Sequence, residues 1–434
     1  YIESISEVEW SVIEEISGVS KSEIQTLANI IANSKSMITC WAMGITQHHN
    51  SVETIQEIVN THLIGGHIGR EGAGVCPVRG HSNVQGDRTV GINHIITPEF
   101  ADRINQTTGI DVPLGHGFDS VKAANAMMEK RGKIFLAMGG NFLSAMSDTK
   151  SISKAMNNCK LTVFISTKLN RNHLITGEQS LILPCLGRTE IDNQSSGKQF
   201  VSVENSMGIV HSSQGHMRPT SKYLLSEPAI VCGIANALES RKSFSTINWT
   251  ELCNNYDQIR SLIESTIDGF EDYNERIKDK AGFYLPNPAR DNLEFRTNSG
   301  KANFIFNPIS YLQPQKDELI MMTIRSHDQY NTTIYSDQDR YRGIKSGRRI
   351  VMMNPHDSKE RRLRTGDKVD LISNFNGELR KSEKWYIVEY DIPKGNIATY
   401  FPEANELIPL QSTARGSNTP TSKSVIVKVE KHQD

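Results

Sequence analysis

The chain has 434 residues, of which 37% are hydrophobic and 22% are charged, and its formal net charge is −1. The length predicts two to four domains of roughly 100–200 residues. The near-zero net charge excludes a bulk attraction to nucleic acid or membrane. No apolar run approaches the ~20 residues of a membrane span. Six cysteines without a C-x-x-C pair argue against a disulfide scaffold, a zinc ribbon or an iron–sulfur cluster held by this chain, so a reducing, cytoplasmic location is expected.

Amphipathic helices open the chain. The apolar residues within 8–34 recur with helical spacing and predict two short helices. The second helix begins at Ser20 or Ser22, with Glu23 behind it in a capping arrangement. A short apolar run over 36–43 follows and predicts a buried strand.

Helices and strands then alternate as far as residue 187. A helix is predicted over 52–66, where paired glycines end it, and another over 119–131. Apolar runs that break at glycine, proline or a polar cluster predict strands over residues 133–141, 160–169 and 180–187. This alternation predicts a parallel sheet that is covered on both faces and binds its ligands at the carboxyl ends of the strands.

The second half of the chain has a different pattern. A helix is predicted over 248–277, a proline-bearing connector over 284–292, and a hairpin over 291–306 around the Asn-Ser-Gly turn at 298–300. From residue 319 onward, six strand-like segments at short spacing are separated by turns such as TGD and FNG. Regular short strands with turn signals predict a separate β-barrel domain.

Residues 65–87 are the most unusual stretch, with seven glycines among 23 residues. Glycine lets backbone N–H groups approach a ligand closely, so the stretch predicts a nest for phosphate or pyrophosphate. The alternative is an irregular interdomain loop. The spacing matches neither G-x-G-x-x-G nor a P-loop and therefore predicts neither a nicotinamide nor an ATP site. The side chains that could contact an anion here are Arg70, Arg79, Arg88, His81, Ser82, Asn83 and Gln85.

Further candidate residues follow the predicted strands. The planar guanidinium of Arg79 suits a carboxylate or a phosphate, and a surface salt bridge is the alternative. His48 follows the first strand, either beside a ligand or as a solvated side chain. Thr167 and Asn170 follow a later strand, as contacts for a purine edge or as helix caps. Structural ion pairing is predicted for the charged residues after the next strand, which are Arg188, Glu190 and Asp192.

Several motifs, taken in order, resemble one family of proteins. They are MGITQHHN, HLIGGHIGREGAGVCPVRGHSNVQGDRTVGI, AMGGN, ISTKLNRNHLITGEQSLILPCLGRTE, TNSGKANF and ARGSNTP. Together they cover nearly the whole chain and resemble the carboxy-terminal half of the molybdopterin oxidoreductases, most closely the formate dehydrogenase H-like (FdhF/YdeP-type) family. The run from GREGAG to PVRGHSNVQG is the most specific part of this resemblance.

The resemblance implies an α/β fold class, with dinucleotide-binding parallel-sheet domains followed by a carboxy-terminal six-stranded, double-psi-like β-barrel. It also implies a division of the chain. The expected parts are the end of a first dinucleotide-binding α/β domain (1–72), a second such domain (73–235), a helical connector and hairpin (236–318), and the molybdopterin dinucleotide-binding barrel (319–434).

The resemblance further implies a bis-molybdopterin guanine dinucleotide cofactor with molybdenum or tungsten, and two-electron redox chemistry on a small, anionic substrate. The [4Fe-4S] cluster and the metal ligand are expected in an amino-terminal portion outside these residues, so no metal ligand is assigned in this chain. Cys76 is interpreted as a small packed residue. The electron carrier is not identified, and no nucleic-acid or membrane partner is expected.

The family pattern also assigns roles to residues. Arg79 resembles the arginine that orients formate in formate dehydrogenases and is the predicted catalytic residue. His81 and Ser82 stand where those enzymes commonly carry Gln and Asn, which changes the expected pterin contacts. The predicted cofactor-binding residues are Met43, Gln47, His48, Gly80, His81, Ser82, Asn83, Gly139, Thr167, Asn170, Arg325, Ser326, His327, Asn331, Asn418 and Lys423.

Two alternatives remain at this stage. One is a non-catalytic relative that binds the cofactor, or nothing, and acts as a structural or stress-related partner. The other is a nicotinamide dehydrogenase, which is disfavoured because no G-x-G-x-x-G follows a predicted strand.

Overall fold

The computed structural model describes residues 1–332, 334–345 and 347–433. Within those ranges, none of the helices has both the length and the apolar character that a membrane crossing requires. The architecture is mixed α/β, with parallel sheets in the first half of the chain and a closed barrel at its carboxy-terminal end.

The opening helices are α1 (Ile2–Ser6), α2 (Trp10–Ser17) and α3 (Lys21–Asn33). Both amphipathic helices predicted within 8–34 are confirmed, and α1 is an addition to them. Ser20 caps α3, because its Oγ accepts the Glu23 N–H at 3.3 Å while the Glu23 carboxylate accepts the Ser20 N–H at 3.0 Å. The capping arrangement read from the sequence is therefore present.

Two short parallel strands come next along with their helices. These elements are β1 (Ile38–Trp41), α4 (Met43–Thr46), α5 (Ser51–Ile64) and β2 (Gly74–Pro77). β1 and β2 pair in parallel, and Trp41 lies opposite Pro77. The prediction of a buried first strand is wrong, because the strand belongs to a two-stranded sheet and Ile38 is 52% exposed. β2 lies inside the glycine-rich stretch and was not predicted.

The central α/β unit contains the predicted parallel sheet, in the order β3-β4-β5. Its elements are α6 (Val84–Thr89), α7 (Pro98–Thr108), α8 (Ser120–Met128), β3 (Ile134–Met138), α9 (Phe142–Ala145), α10 (Thr149–Asn157), β4 (Leu161–Ser166), a 3-10 helix (Arg171–Leu174) and β5 (Gln179–Pro184). Leu143, Ile152 and Phe164 are buried in its core. The expectation that both faces are covered is wrong, since Leu136 on β3 and Leu181 on β5 are about half exposed.

A mixed segment that the sequence predicted only in part leads to the barrel. It contains β6 (Asn193–Gln194), β7 (Gly197–Lys198), β8 (Val201–Glu204), β9 (Ile209–Ser213), α11 (Glu227–Glu239), α12 (Trp249–Asn254), α13 (Tyr256–Thr266), α14 (Tyr273–Arg276), β10 (Phe283–Tyr284) and α15 (Pro288–Asn292). The single helix predicted over 248–277 is instead three helices. It breaks at Asn255, whose extended backbone caps α13, and again near Gly269, where φ is +92°.

The hairpin predicted over 291–306 is wrong. Its turn forms, because the Gly300 N–H donates to the Thr297 carbonyl at 3.0 Å, but the structure assigns no strand to residues 293–317. The second arm packs on α5 instead. The Asn60 amide donates to the Ile305 carbonyl at 2.8 Å, and the Asn307 amide donates to the Glu57 carboxylate at 3.0 Å.

The predicted barrel is confirmed as a closed six-stranded sheet in the order β11-β15-β12-β14-β13-β16. Its elements are β11 (Glu318–Ile324), β12 (Ile350–Met353), α16 (Pro355–Glu360), β13 (Lys368–Phe375), β14 (Glu378–Glu389), β15 (Asn396–Tyr400), a 3-10 helix (Glu403–Leu407) and β16 (Val425–Lys431). β11 pairs in parallel with β15 and β12 with β14, while the other pairs are antiparallel. Val351, Leu371, Trp385 and Ile387 fill the interior with no exposed surface.

Truncation of a barrel side chain should separate core from surface positions. Leu371→Ala is expected to lower the free energy of unfolding by about 2–5 kcal/mol, since it leaves a cavity in a closed core. Leu379→Ala, at a position on β14 that is 67% exposed, should change it by less than about 0.5 kcal/mol. Urea unfolding of the two variants measures the difference, and equal losses would contradict the described core.

Candidate functional site

The carboxyl ends of β1 and β2 form one edge of the molecule where predicted site residues meet. The last pair of the sheet is Trp41 with Pro77, and the Val78 N–H donates to the Trp41 carbonyl at 2.8 Å. Met43 and Arg79 each follow that pair by two residues. Parallel pairing therefore brings the start of α4 and the predicted catalytic arginine to the same edge.

Two loops of the barrel close over this edge. The Arg325 guanidinium lies 3.8 Å from the Met43 Sδ. The Ser422 hydroxyl donates to the Gln47 Oε1 at 2.6 Å, and the Lys423 N–H donates to the Gln47 carbonyl at 3.1 Å. We call this group, Met43, Gln47, His48, Arg79, Arg325 and Lys423, the strand-end site.

The strand-end site is electropositive, and its residues are partly buried except for the exposed Arg79. Burial lowers the pKa of Lys423 to about 8, and the charge of Arg325 acts in the same direction. Burial likewise lowers the pKa of Arg325 and of the His48 imidazole, although a hydrogen bond to the Gly44 backbone partly opposes the shift at His48. Among the residues that the structure describes, neither Arg325 nor Lys423 pairs with a carboxylate. An anion would supply the missing opposite charge.

The loop after β2 offers hydrogen-bond donors beside these cations. Arg79 is exposed, its backbone N–H donates to the Ser206 Oγ at 3.3 Å, and its guanidinium has no ion-pair partner in the described part of the chain. The N–H groups of Gly80, His81 and Ser82 likewise donate to no acceptor within residues 1–332, 334–345 and 347–433. The His81 Nε2 lies 3.0 Å from the Asn331 Nδ2, which joins this loop to the barrel.

The first half of the glycine-rich stretch, residues 65–74, is partly occupied by contacts within the protein. The N–H groups of Gly65, Gly66 and Gly74 already donate to protein carbonyls. Gly69 has φ +70°, and a Cβ there would lie 2.4 Å from the Leu293 side chain. Part of this loop is therefore packed against protein, but the N–H groups of residues 68–72, like those of residues 80–82, donate to no acceptor in the described part of the chain.

Four further predicted cofactor contacts have hydrogen-bond partners within the protein, as Gln47 and His81 do. The Asn83 Oδ1 accepts the Glu204 N–H at 3.0 Å, and the Ser326 Oγ accepts from Arg348 at 3.1 Å. The remaining two, His327 and Asn418, contact the carboxylates of Asp339 and Asp119, the first at 3.3 Å and the second at 3.0 Å.

Gly139 and Thr167 line a second site, a cleft of about 350 Å³ at the carboxyl ends of the parallel sheet. Asn170 lies beside it, where it caps the 3-10 helix and donates to the Gly140 carbonyl at 2.8 Å. This is the sheet edge where the alternation of helices and strands places ligands.

Sequence reasoning missed part of this cleft. Glu227 lines it opposite Arg188, and burial raises the pKa of Glu227 while Arg188 partly opposes that shift. Glu227 begins α11, which was not predicted, although Ser226 and Pro228 are signals for a helix start that could have found it.

Within the residues that the structure describes, Arg188, Glu190 and Asp192 form no ion pair at 4.0 Å or less, contrary to the prediction. Glu190 accepts hydrogen bonds from the Gly187 N–H and from Thr220, both at 2.7 Å, and Asp192 accepts from Gln194 at 2.6 Å. These carboxylates fix the loops of the cleft, and Arg188 donates to the Ser213 hydroxyl at 3.1 Å.

No three His, Cys, Asp or Glu side chains within residues 1–332, 334–345 and 347–433 converge on a common metal position. Two family models match the chain. The Molybdopterin oxidoreductase model matches residues 22–207, and the Molydopterin dinucleotide binding domain model matches residues 319–426. The chain belongs to the molybdopterin oxidoreductase family. Its strand-end site lies where the two matched regions meet.

Individual relatives of this molybdopterin oxidoreductase chain agree with that membership. An uncharacterized oxidoreductase of Mycobacterium tuberculosis is 46% identical over 96% of the chain and 54% of its own length. Protein YdeP of Escherichia coli is 41% identical over 97% of the chain and 56% of its own length. Formate dehydrogenase H of Escherichia coli is 28% identical over 35% of the chain and 22% of its own length. The chain thus spans about half the length of the first two.

A solved structure shares the fold. Acetylene hydratase from Pelobacter acetylenicus superposes with a TM-score of 0.68 at 14% identity, over 99% of the chain and 66% of its own length. The α/β architecture with a carboxy-terminal barrel is therefore that of a molybdopterin enzyme fold, as the resemblance of the motifs indicated.

The shifted pKa of Lys423 gives a pH-dependent prediction for this molybdopterin-family chain. Lys423 is charged below pH ~8 and neutral above it, so affinity for inorganic pyrophosphate should fall as the pH rises through that value. Lys423→Met should weaken binding at pH 7 by about 10- to 100-fold, which corresponds to the ~1.5–3 kcal/mol of a hydrogen bond to a charged group.

Isothermal titration of pyrophosphate into cofactor-free, full-length protein measures both effects. Lys428→Met is the matched control, because Lys428 is also on the barrel but pairs with Asp317 at 2.7 Å and lies outside the site. A Lys423→Met protein that keeps both the affinity and the pH dependence would exclude the assigned role.

Proposed function

We propose that the chain is the cofactor-binding portion of a cytoplasmic molybdopterin-dependent oxidoreductase that carries out two-electron redox chemistry on a small anionic substrate. The strand-end site supports this most directly. Arg325 and Lys423 are partly buried cations without a carboxylate partner among the described residues, and Arg79 is exposed at the same edge. That arrangement suits an anionic cofactor beside an anionic substrate.

The residues present fit a bis-molybdopterin guanine dinucleotide with molybdenum or tungsten. Lys423, Arg325 and the free N–H groups of residues 80–82 would bind its phosphates, and His48 with Gln47 would contact a pterin edge. Its guanine would enter the cleft beside Thr167. When bound, the cofactor supplies the two-electron redox couple.

Arg79 would hold the substrate. A guanidinium presents parallel N–H donors to a carboxylate, which fixes both its position and its orientation. The backbone of Arg79 is itself held by the Ser206 hydroxyl. Formate is our candidate substrate, from the similarity of this loop to that of formate dehydrogenases.

The remaining parts of the proposal concern the longer protein. We place a [4Fe-4S] cluster and the metal ligand in residues beyond this chain, and electrons would pass through the cluster to a separate carrier. We retain the division at 1–72, 73–235, 236–318 and 319–434, in which β2 begins the second part and pairs with β1 of the first. The proposed partners include neither nucleic acid nor membrane.

Metal analysis of the full-length protein tests the proposal as a whole. Stoichiometric molybdenum or tungsten, together with iron and released guanine nucleotide, is the expected result. Absence of all three metals would reject the redox proposal and leave a non-catalytic relative as the function. Metal and nucleotide without turnover of formate would reject the substrate but not the cofactor.

Substitution of Arg79 tests the substrate role separately. Arg79→Ala should lower kcat/KM for formate, assayed with a viologen dye, by about 100-fold or more, because the charge-assisted donors are lost. The metal and nucleotide content should not change. Arg88→Ala is the matched control, since Arg88 is also exposed and directly follows this stretch, but donates to the Asn93 side chain at 3.1 Å. Full turnover by Arg79→Ala protein would refute the role.

A further inference from the structure

Two cysteines that the proposed function does not use lie directly opposite each other. Cys40 on β1 and Cys76 on β2 are register partners in the parallel sheet. Neighbouring strands lie about 4.8 Å apart, which is within the Cα separation of about 4.4–6.8 Å that a disulfide requires. Paired residues of adjacent strands point to the same face of a sheet, so both thiols lie on one side.

The thiols are also close enough to influence one another. Burial raises the pKa of the Cys76 thiol, and the charge of Cys40 and a hydrogen bond with it add to that shift. Cys40 is exposed and Cys76 is half-buried, whereas Cys159, Cys185 and Cys232 are buried. Cys253 is half-buried like Cys76, so the pair differs from the other thiols in holding the exposed Cys40.

We propose that Cys40 and Cys76 form a reversible disulfide when the protein meets a hydroperoxide. Cys40 attacks the peroxide oxygen as its thiolate, becomes a sulfenic acid and releases the first water. Cys76 then attacks the Cys40 sulfur, forms the S–S bond and releases the second water. In balance, two thiols and one hydrogen peroxide give one disulfide and two waters, and the two electrons pass from sulfur to oxygen.

The strand geometry favours reversibility. The Cβ atoms of a disulfide lie about 3.8 Å apart, which is less than the spacing of two paired parallel strands. Closing the bond brings the two Cβ atoms closer together, and disulfides that are strained or exposed, as one at Cys40 would be, are the readily reduced ones. A dithiol reductant would return both cysteines to thiols.

The two cysteines lie close along the chain to residues of the strand-end site. Met43 follows Cys40 by three residues, and Arg79 follows Cys76 by three residues. A covalent link between the strands would therefore fix the start of α4 relative to the arginine loop. This inference concerns thiol chemistry and stands independently of the proposed function, because its test does not require cofactor or turnover.

Peptide mapping of the full-length protein tests the inference. Trypsin cuts after Lys35, Arg70 and Arg79, so Cys40 and Cys76 fall on separate peptides, residues 36–70 and 71–79. After treatment with hydrogen peroxide and alkylation of free thiols, mass spectrometry should find these two peptides joined, two hydrogens lighter than their sum. Dithiothreitol should release both.

Variants keep the test independent of folding defects. Cys40→Ser, at an exposed position, and Cys76→Ala should each abolish the joined peptides. Cys253→Ser is the matched control and should leave them unchanged, because Cys253 contacts the Gln194 side chain at 3.8 Å, outside the β1–β2 sheet. The inference is overturned if peroxide oxidises either cysteine to a sulfinic acid without joined peptides, leaves both as thiols, or joins either to another cysteine.

Discussion

The strand-end site depends on one electrostatic constraint, which is the placement of two cations in a desolvated position without a carboxylate partner in the described chain. Burial disfavours the charged form of Lys423, and Arg325 adds repulsion because it lies nearby. A protein that had only to fold could place an acidic residue there or exchange a cation for an apolar side chain. This chain instead keeps both cations and the unfavourable free energy of burying them. An anionic ligand would offset that free energy on binding.

The barrel makes this arrangement possible because it packs against both α/β units. It contacts the first through the hydrogen bonds of Gln47 with Ser422 and Lys423. It contacts the second through a buried ion pair, in which the Arg380 guanidinium lies 3.0 Å from the Asp148 carboxylate. The Asn405 side chain adds a hydrogen bond to the Ser144 carbonyl at 2.7 Å. A single domain therefore sets the positions of the strand-end site and of the cleft.

Local signals account for what the sequence predicted, and long-range contacts account for what it did not. The barrel strands were predictable because each is an apolar run between turns, and α3 because Ser20 and Glu23 form its cap within four residues. β2 was missed because Gly74 and Pro77 disfavour strands, and the false hairpin arose because the partner of its second arm is a helix about 250 residues away. Only the family resemblance predicted that the residues of the strand-end site share one site. The spacing of residues along the chain predicts neither that grouping nor the burial of Lys423.

The two-stranded sheet that carries the arginine loop differs from the barrel in one further respect. A closed barrel has no unpaired edge, whereas β1 and β2 each leave one side of their backbone without a strand partner among the described residues. Two strands alone are marginally stable, so hydrogen exchange should be faster at this ribbon than at the barrel. The Arg79 loop thus follows backbone that is less protected than that of the barrel, and local opening there can proceed while the barrel stays intact.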